Sequence, residues 1–330
     1  MAGRARLVRA LAVAACLTAV LPFAPPAAAQ GSAHTDVHVV AGRVLRPASG
    51  ELEPVSGLWV VLHRLGSDRA GPLDSMLTGT RGAYEFRYQP FGDERALYFA
   101  AASYGGVAYF TPPLADVVRG EPAEIIVYDT TTRDIPITVR GRHVVVSAAD
   151  PDAMRTVLEV YELSNDTTLT RVSPASTSPP TWRAGLPAAA RSPRVSDGDI
   201  PPDAVTFQND EVRVVAPLPP GVKQLAFTYS MPATAFPLSV PLTAAADILE
   251  VLVEDPAGAA RGASLDETDP VVVDGRRFRR FLAQEVQAGQ VAIVDVPRAE
   301  SSWRSRYVIG IMLLVGSVMF IALAHVFRRT

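Results

Sequence analysis

Histidine is the residue type best suited to bind a metal or move a proton, and the sequence holds five: His34, His38, His63, His143 and His325. His34 and His38 are four apart, which would pair them on a helix, but they lie in a strand-like segment, where that spacing separates them by roughly 13 Å. His63 and His143 stand at the ends of predicted strands without acids at ligand spacing, and no HExxH motif occurs. We therefore predict no bound metal and no cofactor. His34 and His38 are interpreted as part of a solvated N-terminal segment, with a metal pair as the alternative.

Residues that serve nucleophilic catalysis are missing or isolated. No GxSxG elbow, SxxK pair or glycine-rich phosphate loop is found, and the only lysine is Lys223. The one cysteine, Cys16, falls in a segment that we expect to be removed, which leaves no thiol and no disulfide. The acidic segments Asp197-Gly198-Asp199 and Asp266-Glu267-x-Asp269 could bind calcium, but neither has EF-hand spacing, and we interpret both as solvated loops. These patterns predict a protein that is not an enzyme.

Four arginines surround one phenylalanine in the segment Arg276-Arg277-Phe278-Arg279-Arg280. On a strand, Arg277 and Arg279 would share one face, and Arg276, Phe278 and Arg280 the other. One interpretation is contact with anionic lipid headgroups or with an acidic partner. The alternative is a solubilising charge pattern that protects an exposed edge strand.

Aromatic residues flank a Gly-Gly turn in the segment YGGVAYF, residues 104–110. Tyr104 and Tyr109 are candidate contacts to a ligand or partner. Packing of the same rings inside a small β-domain is the alternative.

Both ends of the chain are hydrophobic. Residues 1–29 have the charged, apolar and small-residue regions of a secretory signal, with cleavage expected near Ala29-Gln30; a lipobox ending at Cys16 is the alternative. Residues 307–327 contain no Asp, Glu, Lys or Arg, and as a helix they would span about 31 Å, enough to cross a bilayer. We therefore predict a single-pass bacterial membrane protein with a periplasmic or extracytoplasmic ectodomain and a cytoplasmic C-terminus.

The charge balance concerns possible partners. Once the three arginines of the signal are removed, 28 basic residues face 34 acidic ones. A mildly acidic surface does not favour nucleic acid. The expected contacts are membrane lipid, through the C-terminal helix, and another envelope protein.

Residues 36–129 show short strands separated by turns and no amphipathic helix. Tyr84, Phe86 and Tyr88 alternate with Glu85 and Arg87, which predicts a strand with one aromatic, inward face. About seven such segments predict an antiparallel β-sandwich.

Three motifs carry a family resemblance: Gly42-x-Val44, Pro54-Val55-Ser56-Gly57-x-x-Val60-x-Leu62 and Thr78-x-x-x-Gly82-x-Tyr84-x-Phe86. Together they resemble the carboxypeptidase regulatory-like family, whose members are transthyretin-like or collagen-adhesin-B-like β-sandwiches. Gly79 departs from the pattern, because the family usually carries Asp or Asn there. The isopeptide bond of the adhesin branch is excluded here, because this segment has no lysine.

The rest of the ectodomain is also predicted to be β. Residues 137–246 are expected to form a second β-sandwich-like domain with a proline-rich loop at 173–202, and residues 247–297 a membrane-proximal β unit. Asp274-Gly275 predicts a tight hairpin within that unit. The fold class is thus mainly β, with two or three consecutive antiparallel β-sandwich domains (Ig-like or transthyretin-like) and one C-terminal transmembrane helix. The pattern leaves open whether residues 247–297 are a separate domain or the closing half of the second.

These observations favour a non-catalytic, membrane-anchored extracytoplasmic module for binding or assembly, an accessory component of a bacterial envelope complex. The alternative is an enzyme, or a component of redox or cytochrome machinery, whose site forms across domains and leaves no linear motif.

Overall fold

The computed structural model of the protein describes residues 37–115, 121–174 and 179–297. The predicted signal peptide, residues 1–29, and the predicted helix at 307–327 lie outside these ranges. Within them the chain is mainly β and forms several sheets. No helix among the described residues is long and apolar enough to cross a membrane.

The first part of the chain, called domain 1, contains two sheets. Its strands are β1 (His38–Ala48), β2 (Glu51–Pro54), β3 (Trp59–Leu65), β4 (Ala70–Leu77), β5 (Ala83–Tyr88), β6 (Leu97–Tyr104), β7 (Val107–Phe110) and β8 (Ile125–Ile126). One sheet has the order β2-β1-β5 with β8 beside β1, and the other has the order β4-β3-β6-β7.

Alternating side chains fill the space between these two sheets. Tyr84 and Phe86 on β5 are buried, as the strand pattern predicts, and they share one core with Val60 and Leu62 on β3. Gly42 on β1 lies so close to the Tyr84 ring and to a backbone carbonyl that a Cβ atom would have no room there. The glycine of the Gly42-x-Val44 motif is therefore required because the β1 backbone approaches the Tyr84 ring closely.

The second part, called domain 2, contains the strands that follow β9 (Asp129–Thr131), and β9 itself lies at the junction with domain 1. They are β10 (Thr138–Val146), β11 (Met154–Asn165), β12 (Leu169–Arg171), β13 (Trp182–Gly185), β14 (Arg191–Val195), β15 (Val205–Gln208), β16 (Glu211–Val214), β17 (Gly221–Pro232), β18 (Leu238–Pro241), β19 (Ala246–Val253), β20 (Ala259–Gly262), β21 (Asp266–Val273), β22 (Arg276–Val286) and β23 (Val291–Asp295). Short 3-10 turns occur at Thr80–Gly82, Pro202–Ala204 and Ala233–Ala235.

One large sheet and two small ones enclose the core of domain 2. The large sheet has the order β14-β17-β11-β10-β19-β22-β21, and the small sheets are β13-β16-β15 and β18-β23-β20. Side chains from all three sheets belong to one hydrophobic cluster. Because β19 pairs with β10 along its length, residues 247–297 close the same sheet and core as residues 137–246.

Two features differ from the sequence expectation. Most strand pairs are antiparallel, but β1–β8, β9–β12 and β10–β19 are parallel, so a wholly antiparallel arrangement is wrong. The proline-rich loop expected at 173–202 contains β13 and also β14, which was not predicted. Pro193 is tolerated in β14 because that strand is at the edge of the large sheet and its register shifts there. The hairpin at Asp274-Gly275 is confirmed: it joins β21 to β22, and both turn residues have positive φ.

The long strands of domain 2 connect two opposite ends of the domain. At one end, β9 and β12 pair next to domain 1. At the other end, Arg155 donates a hydrogen bond from Nη2 to the carbonyl of Pro297 at 3.2 Å. The eight residues of β10 from Val139 to Val146 separate these ends by about 25 Å at ordinary strand rise. Domain 1 and Pro297 therefore lie at opposite ends of domain 2.

Candidate functional site

The most unusual surface of the molecule is the outer side of the β4-β3-β6-β7 sheet in domain 1. Large apolar side chains occupy it, and we call them the apolar face: Trp59, Leu65, Leu77, Leu97, Phe99 and Phe110. Trp59 is 57% exposed, Leu65 53% and Phe110 58%. Contiguous exposed apolar surface of this kind marks an interaction site more often than an isolated exposed residue does.

Strand register brings these residues together. Trp59 lies directly opposite Leu77 on β4, and Leu65 lies opposite Leu97 on β6. Residues opposite one another in an antiparallel pair project to the same side of the sheet. Phe110 joins them through its position opposite Ala101.

Aromatic contacts order the middle of the apolar face. The rings of His63 and Phe99 are stacked with centroids 5.2 Å apart, and Phe110 meets Phe99 edge-on at 5.8 Å. Such pairs add to the energy of packing and fix ring orientation. These ring contacts therefore fix the orientation of the aromatic side chains in the middle of the face.

Strand β3 buries its arginine and exposes its tryptophan, the reverse of the usual preference of these side chains. Arg64 is 1% exposed and donates to the Tyr98 hydroxyl at 3.2 Å, to Asp68 Oδ1 at 2.8 Å and to the Phe91 carbonyl at 2.8 Å. The hydrogen bond from Arg64 holds the pKa of the Asp68 carboxyl below its usual value. Turning Arg64 inward leaves Trp59 in solvent. The sequence reasoning missed this surface, although the apolar residues at both alternations of β3 indicate a strand covered on both sides.

Tyr104 and Tyr109, predicted as candidate contacts, lie at the junction between the domains. Tyr104 donates to Asp129 Oδ1 at 2.9 Å. Tyr109 is 6% exposed, and its hydroxyl contacts the Tyr128 carbonyl at 3.1 Å and Thr170 Oγ1 at 2.8 Å. The exposed aromatic residue of the same segment is Phe110, which belongs to the apolar face.

The arginine cluster on β22 is largely paired within the chain. Arg276 contacts Glu254 at 3.2 Å, Arg279 binds both oxygens of Glu267, and Arg280 Nε donates to Glu250 at 2.6 Å. Arg277 is exposed and forms no ion pair with a residue that the structure describes. Interpreting β22 as an edge strand is wrong, because β19 and β21 flank it. Contact of this cluster with lipid stays a prediction.

Of the two acidic segments, one is not a loop. Asp266, Glu267 and Asp269 lie in β21, which makes the loop interpretation of that segment wrong. In the other, Asp199 accepts the backbone N–H of Gln224 at 2.8 Å. Among the described residues, no group of three or more His, Cys, Asp or Glu side chains could hold a metal ion.

His143 belongs to a charged row across the outer side of the large sheet. Its Nδ1 lies 2.7 Å from Glu250, which also accepts from Arg280, and its Nε2 lies 4.0 Å from Glu162. The hydrogen bond with Glu250 raises the pKa of His143 and lowers the pKa of Glu250. This row links four adjacent strands by charge.

A buried charge network lies inside domain 2. Glu159 is 0% exposed and accepts hydrogen bonds from Arg142 Nη2 at 2.8 Å, the Tyr161 hydroxyl at 3.0 Å and the Tyr229 hydroxyl at 2.8 Å. Burial raises the pKa of both tyrosines well above their ordinary value, so their hydroxyls remain donors. Burial alone would lower the pKa of Arg142, but the charge and hydrogen bond of Glu159, together with the two tyrosines, outweigh burial and raise that pKa.

The network forms one wall of a cavity of about 230 Å³. Its lining residues are Arg142, Glu159, Gly185, Leu186, Pro187, Ser239, Val240 and Pro241. The sequence reasoning also missed this site. Its only signal was a charged residue at an inward position of the alternating segment VLEVYEL, residues 157–163.

No family model matches the chain, and no curated protein matches it either. The function proposed below is therefore argued from the geometry of the described residues.

Proposed function

We propose that the chain is a non-catalytic, membrane-anchored extracytoplasmic module that binds another envelope protein through the apolar face of domain 1. The observation that carries this proposal is on β3, where Arg64 is buried and Trp59 is 57% exposed on the apolar face. An exposed tryptophan and phenylalanine on a rigid sheet are the residue types that dominate binding at protein interfaces.

The proposed fold of domain 1 is the carboxypeptidase regulatory-like, transthyretin-like β-sandwich. Two features of its motifs support this. Gly82 has a φ of +71° in the turn before β5, and Gly42 meets the Tyr84 ring. In such a fold one sheet can carry a binding surface while the other closes the core.

The placement of the two ends suits presentation away from a membrane. Arg155 fixes Pro297 at the end of domain 2 opposite domain 1. Residues 298–306 would then connect Pro297 to the proposed span at 307–327, and nine extended residues reach at most about 30 Å. Domain 2 would therefore stay near the bilayer, and domain 1, which carries the apolar face, would lie farther out.

Affinity purification of the tagged full chain from its native membranes tests this function. The variant W59S/F110S removes the two most exposed aromatic side chains of the apolar face. The matched control V222S/V272S removes exposed apolar side chains from domain 2, where Val222 is 54% and Val272 68% exposed. We expect a co-purifying protein to be lost with W59S/F110S and kept with V222S/V272S.

Both double variants should fold, because exposed substitutions usually change stability by only about 0.5 kcal/mol each. Recovery of the same proteins with both variants would overturn the proposal. So would the absence of any protein that depends on the wild-type chain.

A further inference from the structure

The cavity of domain 2 lies in a gap between its two small sheets. Among the described strands, β13 and β18 each end their own three-stranded sheet. The segment that follows β13 and the residues of β18 form opposite walls of the cavity. Arg142 and Glu159 project from the large sheet and form its floor.

The floor still offers hydrogen-bond donors. A guanidinium carries five N–H groups. Two of those of Arg142 go to Glu159 and one goes from Nη1 to the Pro241 carbonyl at 2.8 Å. One N–H on each Nη atom therefore has no acceptor among the described residues. The Arg142 side chain is only 7% exposed, which makes donors at its tip strong.

The charges on the floor select against ions. Glu159 neutralises Arg142, so an anionic ligand would bring a second negative charge next to a buried carboxylate, and a cation would face the guanidinium. A neutral acceptor avoids both penalties. A carbonyl oxygen is such an acceptor, and the two free N–H groups can meet its two lone pairs.

The walls and the volume describe the rest of the ligand. Leu186, Pro187, Val240 and Pro241 supply mostly apolar surface. A cavity of about 150 Å³ lined by apolar side chains accepts benzene. The roughly 230 Å³ available here therefore fits a single ring with one polar group.

The energy of the buried Arg142–Glu159 ion pair is a further argument for a binding role. Buried ion pairs are often no more stabilising than well-packed apolar residues of similar volume. A pair that lines a cavity and keeps two N–H groups without an acceptor among the described residues has a use that packing alone does not supply.

We propose that the cavity between β13 and β18 is a binding site for a small, uncharged, mostly apolar carbonyl compound, whose oxygen accepts hydrogen bonds from Arg142. The site is separate from the apolar face of domain 1, and its test requires no partner protein.

Ligand-observed NMR on the full chain in lipid nanodiscs tests the site with three soluble rings of similar size. Cyclohexanone carries the neutral carbonyl, cyclopentanecarboxylate a negative charge and cyclohexylammonium a positive charge. We expect saturation transfer to cyclohexanone, with binding of the two ions at least about tenfold weaker, because the carboxylate would lie beside buried Glu159 and the ammonium beside Arg142.

Two variants examine the site from different sides. R142K keeps the charge beside Glu159 but has only three donors, so it should weaken cyclohexanone binding about tenfold or more. S239Y adds bulk at an exposed rim residue and should block entry without disturbing the ion pair. S103Y adds the same bulk on domain 1 and serves as the control, with binding retained.

Equal binding of all three rings, or no binding of cyclohexanone to the wild-type chain, would overturn the inference. Unchanged binding in S239Y would also overturn it, and this result does not depend on whether R142K folds. Cyclohexanone signal that persists in every variant would show partition into the nanodisc lipid instead of a site.

Discussion

In domain 2, the costs of removing Arg142 and Glu159 separately should sum to more than the cost of removing both together. In R142M, Glu159 remains at 0% exposure with only two tyrosine donors, and an unpaired buried charge costs about 3–5 kcal/mol. In E159L, the guanidinium keeps one acceptor and both hydroxyls lose theirs, so the cost should be at least about 4 kcal/mol. The double variant R142M/E159L leaves no charge in this network, and its cost should fall below the sum by about 3 kcal/mol or more.

The assay is urea unfolding of the full chain followed by tryptophan fluorescence. Trp182 packs edge-on against Tyr161 with ring centroids 4.9 Å apart, so it reports on the network directly. For a domain of this size, 3–5 kcal/mol corresponds to a fall in melting temperature of about 6–20 °C. R261M is the control, because Arg261 and Asp295 are 60% and 53% exposed, and such a pair contributes less than about 1 kcal/mol.

If the costs of R142M and E159L in free energy of unfolding add up to that of the double variant within about 0.5 kcal/mol, the two side chains do not stabilise each other, because independent sites behave in that way. An effect of R142M no larger than that of R261M would contradict this stabilisation as well. Either result would mean that water or rearrangement relieves the charge that the structure places in the core.

Three further outcomes follow from the structure. Wild type should be more stable than H143Q, with the largest difference in free energy of unfolding below pH 6.5 and none once pH exceeds the raised pKa of folded His143. Urea unfolding at several pH values measures this difference, and a difference that grows with pH would contradict the bond to Glu250. G42A should destabilise domain 1 by about 1–3 kcal/mol, whereas G79A, whose Cβ has room, should change thermal stability little; equal melting temperatures would contradict the close approach. R155M should lower stability by about 3 kcal/mol and speed amide exchange at 291–297; unchanged exchange there would show that Arg155 does not hold Pro297.

Local rules explain what could be read from the sequence. Tyr84 and Phe86 alternate with charged neighbours, and one face of a strand suffices to predict their burial. Asp274-Gly275 specifies its own hairpin, because both residues tolerate positive φ. Each of these predictions depends on fewer than ten consecutive residues, and each is confirmed.

Pairing between distant segments explains much of what could not be read. Residues 137–246 and 247–297 share one sheet because β10 lies parallel to β19, more than 100 residues later, and no periodicity encodes that choice of neighbour. The contact between Arg142 and Glu159 depends in the same way on the register of β10 against β11. A sequence shows which side chains alternate along one strand, but it does not show which residue of another strand lies opposite each of them.

The apolar face was missed for a different reason. In β3, a rule that places arginine outside and tryptophan inside predicts the reverse of the observed faces. Arg64 is buried because Asp68, Tyr98 and Phe91 satisfy its guanidinium, and those partners come from separate loops and strands. The tertiary hydrogen bonds outweigh the usual preference of the side chain for water.

Site-specific photo-crosslinking in intact native membranes shows whether the apolar face of domain 1 contacts another protein. A photoreactive amino acid replaces Phe110 on the apolar face or, in the control, Val222 on domain 2, two positions of nearly equal exposure at 58% and 54%. We expect a discrete crosslinked protein from position 110 and none from position 222. The same crosslinked products from both positions, or none from position 110, would contradict the proposed binding through the apolar face.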